Sequence, residues 1–275
     1  MGSAILAGVL DSCARTQGTG AVPRFTKFLA CVNSKGSAER LKSQFKKYED
    51  RVAVVQQDNL GGMREADVVL LGCKPYMAEK VLTAPGVRDA LEGKLIISVL
   101  VGSPVEKLQK FVFGENFALS KQKCYMVRAM LNIAAEFGES MTVIETTDMP
   151  EHLLELTNWV FLQLGKTAPV APDLFDIGGV LAGPSGVFLS VALDGILDGA
   201  VSQGLKRAQA RTMLTQSLVG LAKLLDEGNT GDVLREKFSS PRGTTIEGLL
   251  SLEEDRVRHA YSKAVIKSTH RSQTM

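Results

Sequence analysis

Hydrophobic residues follow two different patterns in the two halves of the chain. In the first half, short continuous apolar runs alternate with amphipathic stretches, which is typical of buried strands separated by helices. The runs predict strands at residues 25–32, 52–56, 66–75, 94–101, 124–128 and 141–144. The stretches between them predict helices at residues 2–12, 38–48, 76–82 and 104–111. This alternation predicts a doubly wound α/β domain of the Rossmann type, with a parallel sheet, over residues 1–146.

The second half shows no further strand pattern and predicts helices at residues 151–164, 186–201, 206–226 and 251–270. Residues 186–201 are apolar on nearly every side, so a helix here has to be covered on every side. A domain of this size covers such a helix most easily with a second copy of itself. We therefore predict an all-helical dimerisation domain over residues 147–275, in a homodimer or a higher homo-oligomer.

Two carboxylates, Asp194 and Asp198, interrupt the apolar helix one turn apart. Paired carboxylates can perform acid–base chemistry, but a buried charge also persists wherever it is paired or hydrogen-bonded. We expect these two acids to be buried at a helix contact or subunit contact rather than to be catalytic. For Arg128 we expect a structural role as the partner of such an acid.

Composition narrows the possible functions and partners. The chain has 32 basic and 30 acidic residues and a net charge of +2, which gives no field for nucleic-acid binding. Its four cysteines are far apart and have no C-x-x-C spacing, so we expect mostly buried, reduced thiols and a cytoplasmic protein. No segment predicts a membrane span or a secretory signal. The three histidines lie in polar surroundings, so we predict no metal site.

Residues 238–249 concentrate hydroxyl side chains and glycines directly before an apolar helical stretch. Ser240 and Pro241 are typical of a helix amino terminus, because serine can cap free amides and proline donates none. Such a terminus is electropositive and suits a carboxylate or a phosphate. An ordinary capped helix has the same composition, so the segment alone leaves both interpretations open.

Three segments together resemble the pyrroline-5-carboxylate reductase family. Residues 66–75 match Ala-Asp-Val-Val-x-Leu followed by x-x-Lys-Pro, and residues 127–132 match Val-Arg-x-Met-x-Asn. Residues 240–249 match Ser-Pro-x-Gly-Thr-Thr-Ile-x-Gly-Leu, which is the most specific of the three. The resemblance extends over both predicted domains and implies hydride transfer from NAD(P)H to the C=N bond of 1-pyrroline-5-carboxylate. The product is L-proline, so the implied role is proline biosynthesis.

The resemblance also implies which residues bind the substrate. Ser240, Gly243 and Thr244 would bind its carboxylate through hydroxyl and amide groups. Thr245 would face the imine nitrogen as the catalytic residue, through a hydrogen bond or by donating a proton. Because a threonine hydroxyl is a poor acid near neutral pH, two alternatives are that Thr245 orients a protonated iminium or relays a proton from water.

The turn after the predicted strand 25–32 indicates the cofactor. An acidic residue at this position binds the ribose 2′-hydroxyl of NAD. Here Asn33, Ser34 and Lys35 follow the strand, with Arg40 further along, and a neutral and basic set suits the 2′-phosphate of NADPH. The full set of predicted cofactor-binding residues, most of them implied by the resemblance, is Met1, Gly2, Asn33, Ser34, Lys35, Asn59, Cys73, Lys74, Pro75 and Asn132.

Three departures from the family pattern keep other interpretations open. The first strand and two glycines of the phosphate-binding turn are absent before Gly2, which a shortened reading frame or an alternative start would explain, and which otherwise predicts weak cofactor binding. Residues 130–134 replace two prolines and a threonine of the family with apolar residues, and residues 183–188 reorder its small residues. A catalytically impaired paralogue that acts by binding, or a reductase of another cyclic imine, therefore stays possible. A third alternative is a hydroxy-acid reductase, which would need a lysine as the acid on the helix after residue 146. Residues 151–170 contain only Lys166, near the end of that helix, which argues against this alternative.

Overall fold

The structure, a computed structural model, describes residues 1–115, 117 and 123–274. The described chain forms two compact units, the first made of residues 1–183 with the end of the last helix, and the second of Pro184–Ser268. The sequence predicts a division after residue 146, whereas the structure divides the chain after Gly183. The reason is that the helix and strand following residue 146 pack on the sheet of the first unit.

Seven strands form two sheets in the first unit. They are β1 (Phe28–Val32), β2 (Val52–Gln56), β3 (Val68–Leu71), β4 (Leu95–Ser98), β5 (Tyr125–Met130), β6 (Ser140–Glu145) and β7 (Gly165–Val170). β1 and β2 form a parallel pair, and the other strands form a five-stranded sheet in the order β3-β4-β5-β6-β7. Among the described strands, only β5 and β6 run antiparallel to each other.

β7 is a strand that the hydrophobic pattern does not predict. It is an edge strand that pairs with β6 alone among the described strands, and it contains Gly165 and Pro169, two residue types that are rare in strands. Its first residue has to be glycine, because a Cβ at Gly165 would lie 2.0 Å from the carbonyl oxygen of Ser140. The prediction that strands end at residue 146 is therefore wrong.

Helices cover both faces of the sheets in the first unit. They are α1 (Gly2–Gly18), α2 (Lys35–Gln44), α3 (Asn59–Glu65), α4 (Ala78–Leu82), α5 (Val87–Ala90), α6 (Val105–Phe113), α7 (Glu151–Leu162) and α8 (Phe175–Ala182), with 3₁₀ turns at Lys46–Tyr48, Pro75–Met77, Ile133–Phe137 and Pro172–Leu174. All four residues of β4 are buried. Leu95 and Ile97 pack with α1 and α7, while Ile96 packs with α4 and α6 on the opposite face. This two-sided burial confirms the doubly wound α/β prediction.

Helix α1 joins the two sheets through side chains. Its residues Val9 and Cys13 pack with β4 and β5, while Leu10 packs with Leu41 and Phe45 beside β1 and β2. Among the described strands, β1 pairs with β2 only and β3 pairs with β4 only. In a doubly wound sheet with the order 3-2-1-4-5-6, the first strand occupies the position between these two edges. In the described strand order this position lies between β1 and β3.

The second unit consists of helices. They are α9 (Pro184–Ser202), α10 (Arg207–Asp226), α11 (Gly231–Phe238), α12 (Thr244–Glu254) and α13 (Val257–Gln273), of which the last ends in the first unit. The predicted continuous helix at residues 251–270 is two helices, because the chain breaks at Asp255 and Arg256. Arg256 has a φ of 54°, in the left-handed region that ends a right-handed helix.

Helix α9 exposes a large apolar surface in the single chain. Val187 and Val191 are 64% and 76% exposed, and the stretch Pro172–Ser202 is long and apolar enough to span a membrane by length and composition. Asp194 and Asp198 are also exposed, and Asp198 pairs with Arg207 at the start of α10. The two acids are therefore not buried within one chain. An exposed apolar helix of this kind needs a covering partner.

Candidate active site

The predicted cofactor residues meet at one edge of the first unit. Asn33–Lys35 follow β1, Asn59 follows β2, Cys73–Pro75 follow β3, and Asn132 follows β5, all at the carboxyl ends of parallel strands. In open α/β sheets, ligands bind outside this edge where the strand order reverses. Here the reversal lies between β1 and β3, because the helices after these strands, α2 and α4, pack in different clusters.

The amino terminus of α1 lies at this same edge. A Cβ placed on Gly72, which follows β3, would lie 3.8 Å from the Cα of Gly2. The carbonyl oxygen of Met1 accepts from the amides of Ala4 and Ile5, while the earlier amides of the helix have no intrahelical acceptor. The first turn contains no acidic residue and no side-chain cap. This positive helix end therefore lies beside the loop at Cys73.

The turn after β1 begins α2 with a capped and basic amino terminus. Ser34 Oγ accepts from the amide of Ser37 at 3.2 Å and donates to Ser37 Oγ at 2.9 Å. Lys35 is 83% exposed, and its Nζ lies 3.9 Å from a carboxylate oxygen of Glu39. No acidic residue lies in the first turn of α2. Ser34 thus acts first as a cap, and Lys35 is the exposed charge at this turn.

The turn after β2 is also capped from within. The carboxylate of Asp58 accepts from the amide of Gly61 at 2.7 Å, and Asn59 is exposed beside it. The carbonyl oxygen of Asp58 is 3.9 Å from the thiol of Cys31. Although Cys31 is an exposed residue, partial burial of its thiol raises the pKa of that group, and the nearby charge of Asp58 raises it further. Burial likewise raises the pKa of Cys73, so both thiols stay protonated near neutral pH and supply no nucleophile.

The four cysteines are free, as predicted, but only Cys13 and Cys124 are buried. Cys31 is exposed and Cys73 is half-buried, so the expectation that most thiols are buried holds for two of the four.

Asn132 has a structural role that the sequence does not indicate. Its Nδ2 donates to the carbonyl oxygen of Ala182 at 2.7 Å, and its Oδ1 accepts from the amide of Ala134 at 2.9 Å. The side chain therefore holds the loop after β5 against the end of α8. The next residue, Ile133, is 81% exposed, so this edge of the sheet presents an apolar side chain.

Arg128 forms a buried ion pair within the sheet. Its Nε lies 2.5 Å and its Nη2 3.1 Å from the two carboxylate oxygens of Glu145, the neighbouring strand residue. The guanidinium also lies 4.2 Å from the ring centroid of Phe175 on α8. The predicted structural role of Arg128 is confirmed, but its partner is Glu145 rather than an acid of the helical half.

The predicted substrate residues lie in the second unit, in the turn between α11 and α12. The amide of Gly243 donates to the carbonyl oxygen of Ser240 at 2.9 Å, which closes a turn with Pro241 at its second position. Arg242, at the third position, has a φ of 61°, as a type II turn requires. A Cβ at Gly243 would lie 2.4 Å from Ser240 Oγ, so a side chain here would displace the Ser240 hydroxyl.

Helix α12 begins at Thr244, later than the sequence predicts, and it has no side-chain cap. Gly243 is its N-cap residue, so Ser240 does not cap it as expected. Thr244 and Thr245 are exposed. Their hydroxyls and the first amides of α12 therefore face solvent, as an anion site at a helix terminus requires.

Two further residues of this turn were missed by the sequence prediction. The Oγ of Ser239 is buried and has no hydrogen-bond partner in the described part of the chain. Arg242 adds an exposed guanidinium to the same turn. The paired serines and the basic residue inside the Ser-Pro-x-Gly motif were the signals available in the sequence. Together with the free helix terminus, they make this turn suitable for binding a carboxylate.

A different depression in the first unit does not suit a dinucleotide. It has a volume of about 320 Å³ and lies at the start of β5, beside Tyr125, and therefore at the opposite edge of the parallel strands. Glu106, Glu145 and Asp148 are among its lining residues, and the described lining includes no lysine or arginine. Phosphate groups would be repelled here.

Comparison with known proteins identifies the family. Residues 172–275 match the model described as pyrroline-5-carboxylate reductase dimerisation, and residues 1–102 match NADP oxidoreductase, coenzyme F420-dependent. A pyrroline-5-carboxylate reductase of Lophium arboricola is 39% identical over 98% of this chain and 88% of its own length. The corresponding protein of Neurospora crassa is 38% identical over the same shares. The chain belongs to the pyrroline-5-carboxylate reductase family.

Solved structures of similar proteins have the same fold. The 1-pyrroline-5-carboxylate reductase of Streptococcus pyogenes has a TM-score of 0.79 at 21% identity, over 99% of this chain and 94% of that one. The pyrroline carboxylate reductase of Plasmodium falciparum, solved with NADP bound, has a TM-score of 0.74 at 20% identity, over 90% and 97%. The two family models cover different parts of the candidate site. The model over residues 1–102 includes the predicted cofactor residues except Asn132, and the model over residues 172–275 includes the predicted substrate residues.

Proposed function

We propose that this member of the family is a pyrroline-5-carboxylate reductase, which reduces the C=N bond of 1-pyrroline-5-carboxylate with NAD(P)H to give L-proline. The observation that carries the proposal is the uncapped start of α12, whose turn leaves hydroxyl and amide donors free for a carboxylate. Family relatives that are named for this activity support it. The assignment makes the protein a part of proline biosynthesis.

The substrate carboxylate would bind at the amino terminus of α12. Ser240 and Thr244 offer hydroxyl groups, and Gly243 lets the backbone approach closely because no side chain fills the turn. A helix terminus without a cap has amides that a carboxylate can satisfy. This arrangement fixes one end of the substrate ring.

Thr245 would donate a hydrogen bond to the imine nitrogen or to a water beside it. Its hydroxyl is exposed one residue into α12. Because the hydroxyl is a weak acid, the proton that the nitrogen gains would come from solvent water, and Thr245 would orient the nitrogen and relay that proton. Bound NAD(P)H supplies the hydride.

The carboxyl edge of the first unit fits part of a dinucleotide. The turn at Asn33–Lys35 and the exposed Asn59 would hold the adenosine end, Cys73, Lys74 and Pro75 the nicotinamide ribose, and Met1 and Gly2 the phosphates. Asn132 would act indirectly, by holding the loop after β5. The exposed Lys35 and the absence of an acid in the first turn of α2 favour NADPH over NADH.

The exposed apolar surface of α9 and the dimerisation model support a homodimer or a higher homo-oligomer. We place the protein in the cytoplasm, with which its four free cysteines agree.

Two observations support alternatives. Residues 130–134 have apolar residues in place of two prolines and a threonine of the family pattern, which favours a catalytically impaired protein that acts by association. The exposed Ile133 makes the edge beside the nicotinamide position apolar, which favours a cyclic imine with an apolar substituent.

NADPH oxidation with pyrroline-5-carboxylate tests the proposal directly. We expect turnover by the wild-type chain, and a Thr245→Ala variant with clearly lower kcat and unchanged thermal stability. Thr245→Ser keeps the hydroxyl and serves as the control, with activity near wild type. Turnover that persists fully in Thr245→Ala would remove the assigned role, and absence of turnover with intact NADPH binding would favour the alternatives.

A further inference from the structure

Lys35, which forms an ion pair with Glu39, lies at the helix end that disfavours a cation. Lys35 is the first residue of α2, where the positive helix end opposes a cation, and no acidic residue lies in this turn. Lysine preceding glutamate by four residues is also the weaker of the two possible orders on a helix. Local helix stability therefore gives no reason for a lysine here, whereas an anion at the helix terminus does.

The contact itself is loose. The Lys35 Nζ lies 3.9 Å from Glu39 Oε1, beyond hydrogen-bond distance, and the two side chains are 83% and 67% exposed. Such a pair is easily exchanged for another partner. Glu39 lies one helical turn beyond Lys35, so this contact engages the ammonium with a side chain of α2 itself.

We propose that Glu39 is a specificity-determining residue that weakens NADPH preference by competing with the cofactor 2′-phosphate for the Lys35 ammonium. The inference rests on the proposed function, since it assumes a dinucleotide at this turn. Binding of the 2′-phosphate requires Lys35 to leave Glu39. A cofactor with a free 2′-hydroxyl requires no such exchange, so Glu39 lowers affinity for the phosphorylated form alone.

Calorimetric titration of the full chain with 2′-phospho-ADP-ribose and with ADP-ribose tests this without turnover. Glu39→Gln should bind 2′-phospho-ADP-ribose roughly two- to threefold more tightly than wild type, the size expected for releasing an exposed pair. Its affinity for ADP-ribose should stay the same. The gain should also shrink as salt is raised, because exposed charges are screened.

A double-mutant cycle separates competition from general repulsion. In a Lys35→Met background, Glu39→Gln should no longer tighten 2′-phospho-ADP-ribose. An equal gain in both backgrounds would overturn the proposal, because Glu39 would then act on the phosphate directly. Glu115→Gln is the matched control, since it removes an exposed carboxylate that lies 3.0 Å from Lys110 at the end of α6, and it should change neither affinity.

The outcomes distinguish this inference from the proposed function. If wild type prefers 2′-phospho-ADP-ribose and Glu39→Gln changes nothing, only the role of Glu39 fails. If wild type binds both ligands equally, both the proposed NADPH preference and the role of Glu39 fail. If neither ligand binds the full chain, both the inference and the dinucleotide site at this edge are overturned.

Discussion

Two helix termini of this protein have similar hydroxyl-rich sequences but use them differently. At the start of α2, Ser34 accepts from the amide of Ser37 and so satisfies the helix from within. At the start of α12, the turn contains two serines and two threonines, yet Gly243 is the N-cap residue and no side chain caps the helix. The composition of the two segments does not reveal this difference.

The difference separates a terminus that stabilises the fold from one that is available to a ligand. At a capped helix end, an amide already donates a hydrogen bond to the cap side chain, so an anion forms fewer new hydrogen bonds there and binds more weakly. An uncapped end keeps its amides and hydroxyls in water, at a cost in helix stability that a bound carboxylate offsets. Substitutions should therefore affect mainly stability at α2 and mainly substrate binding at α12.

Gly243→Ala should have the largest effect. The added Cβ would lie 2.4 Å from Ser240 Oγ and 3.0 Å from the Ser240 carbonyl oxygen, so the Ser240 hydroxyl has to leave its position and the carbonyl has to shift by a few tenths of an ångström. We expect the KM for pyrroline-5-carboxylate to rise at least about tenfold, as for a lost hydrogen bond to a charged group. Steady-state kinetics measure the change. Gly248→Ala, where an added Cβ meets nothing within 4 Å, is the control and should leave KM unchanged.

Thr244→Val should weaken substrate binding with little effect on the fold. Thr244 is exposed and does not cap α12, so removal of its hydroxyl breaks no capping hydrogen bond of this helix. We expect KM to rise about five- to tenfold, from one lost hydrogen bond to a carboxylate, and Tm to stay within about 2 °C. A fall in Tm with unchanged KM would contradict this prediction, because Thr244 would then stabilise its helix, as Ser34 does at α2, and would not bind the substrate.

Ser34→Ala should show the opposite pattern. Loss of the cap should lower the free energy of unfolding by about 1 kcal/mol. The KM for NADPH should change less than about threefold, because the hydroxyl is engaged in the cap. Urea unfolding at fixed protein concentration measures the first quantity. Ser37→Ala removes only the hydroxyl partner and keeps the cap, so its smaller effect on stability serves as the control.

Arg242→Gly should have the smallest effect on stability, and it should be favourable. Arg242 has a φ of 61°, which glycine adopts without steric strain. After allowing for the greater freedom of glycine in the unfolded chain, we expect a gain of roughly 0.5 kcal/mol. The same unfolding measurement checks it, and a loss of stability would show that the guanidinium makes a stabilising contact.

The sequence predicted those parts of the fold whose hydrophobic pattern is strong. The continuous apolar run of β4 predicted a buried central strand correctly, because both of its faces are covered. β7 was missed because an edge strand tolerates Gly165 and Pro169. The alternation of helices and strands in the sequence alone also predicted the doubly wound class.

The place of the candidate residues in the fold was predictable from the sequence, but their contacts were not. Lys35 and Cys73 follow predicted strands, and in the structure both follow the carboxyl ends of parallel strands. The internal bonds of Asn132 and the partnerless hydroxyl of Ser239 depend on residues distant in sequence or on local packing, and no short-range pattern encodes them.

The two unpaired sheet edges have a consequence for local unfolding. β1 and β2 share hydrogen bonds with each other but with no other described strand, and they are held to the rest of the unit largely by apolar contacts of α1 and α3. Strands that lack a common hydrogen-bond ladder can open separately. The amide hydrogens of β1 should therefore exchange with solvent faster than those of β4. A cofactor that binds the turn at Lys35 would slow this exchange, although it contacts no residue of the strand.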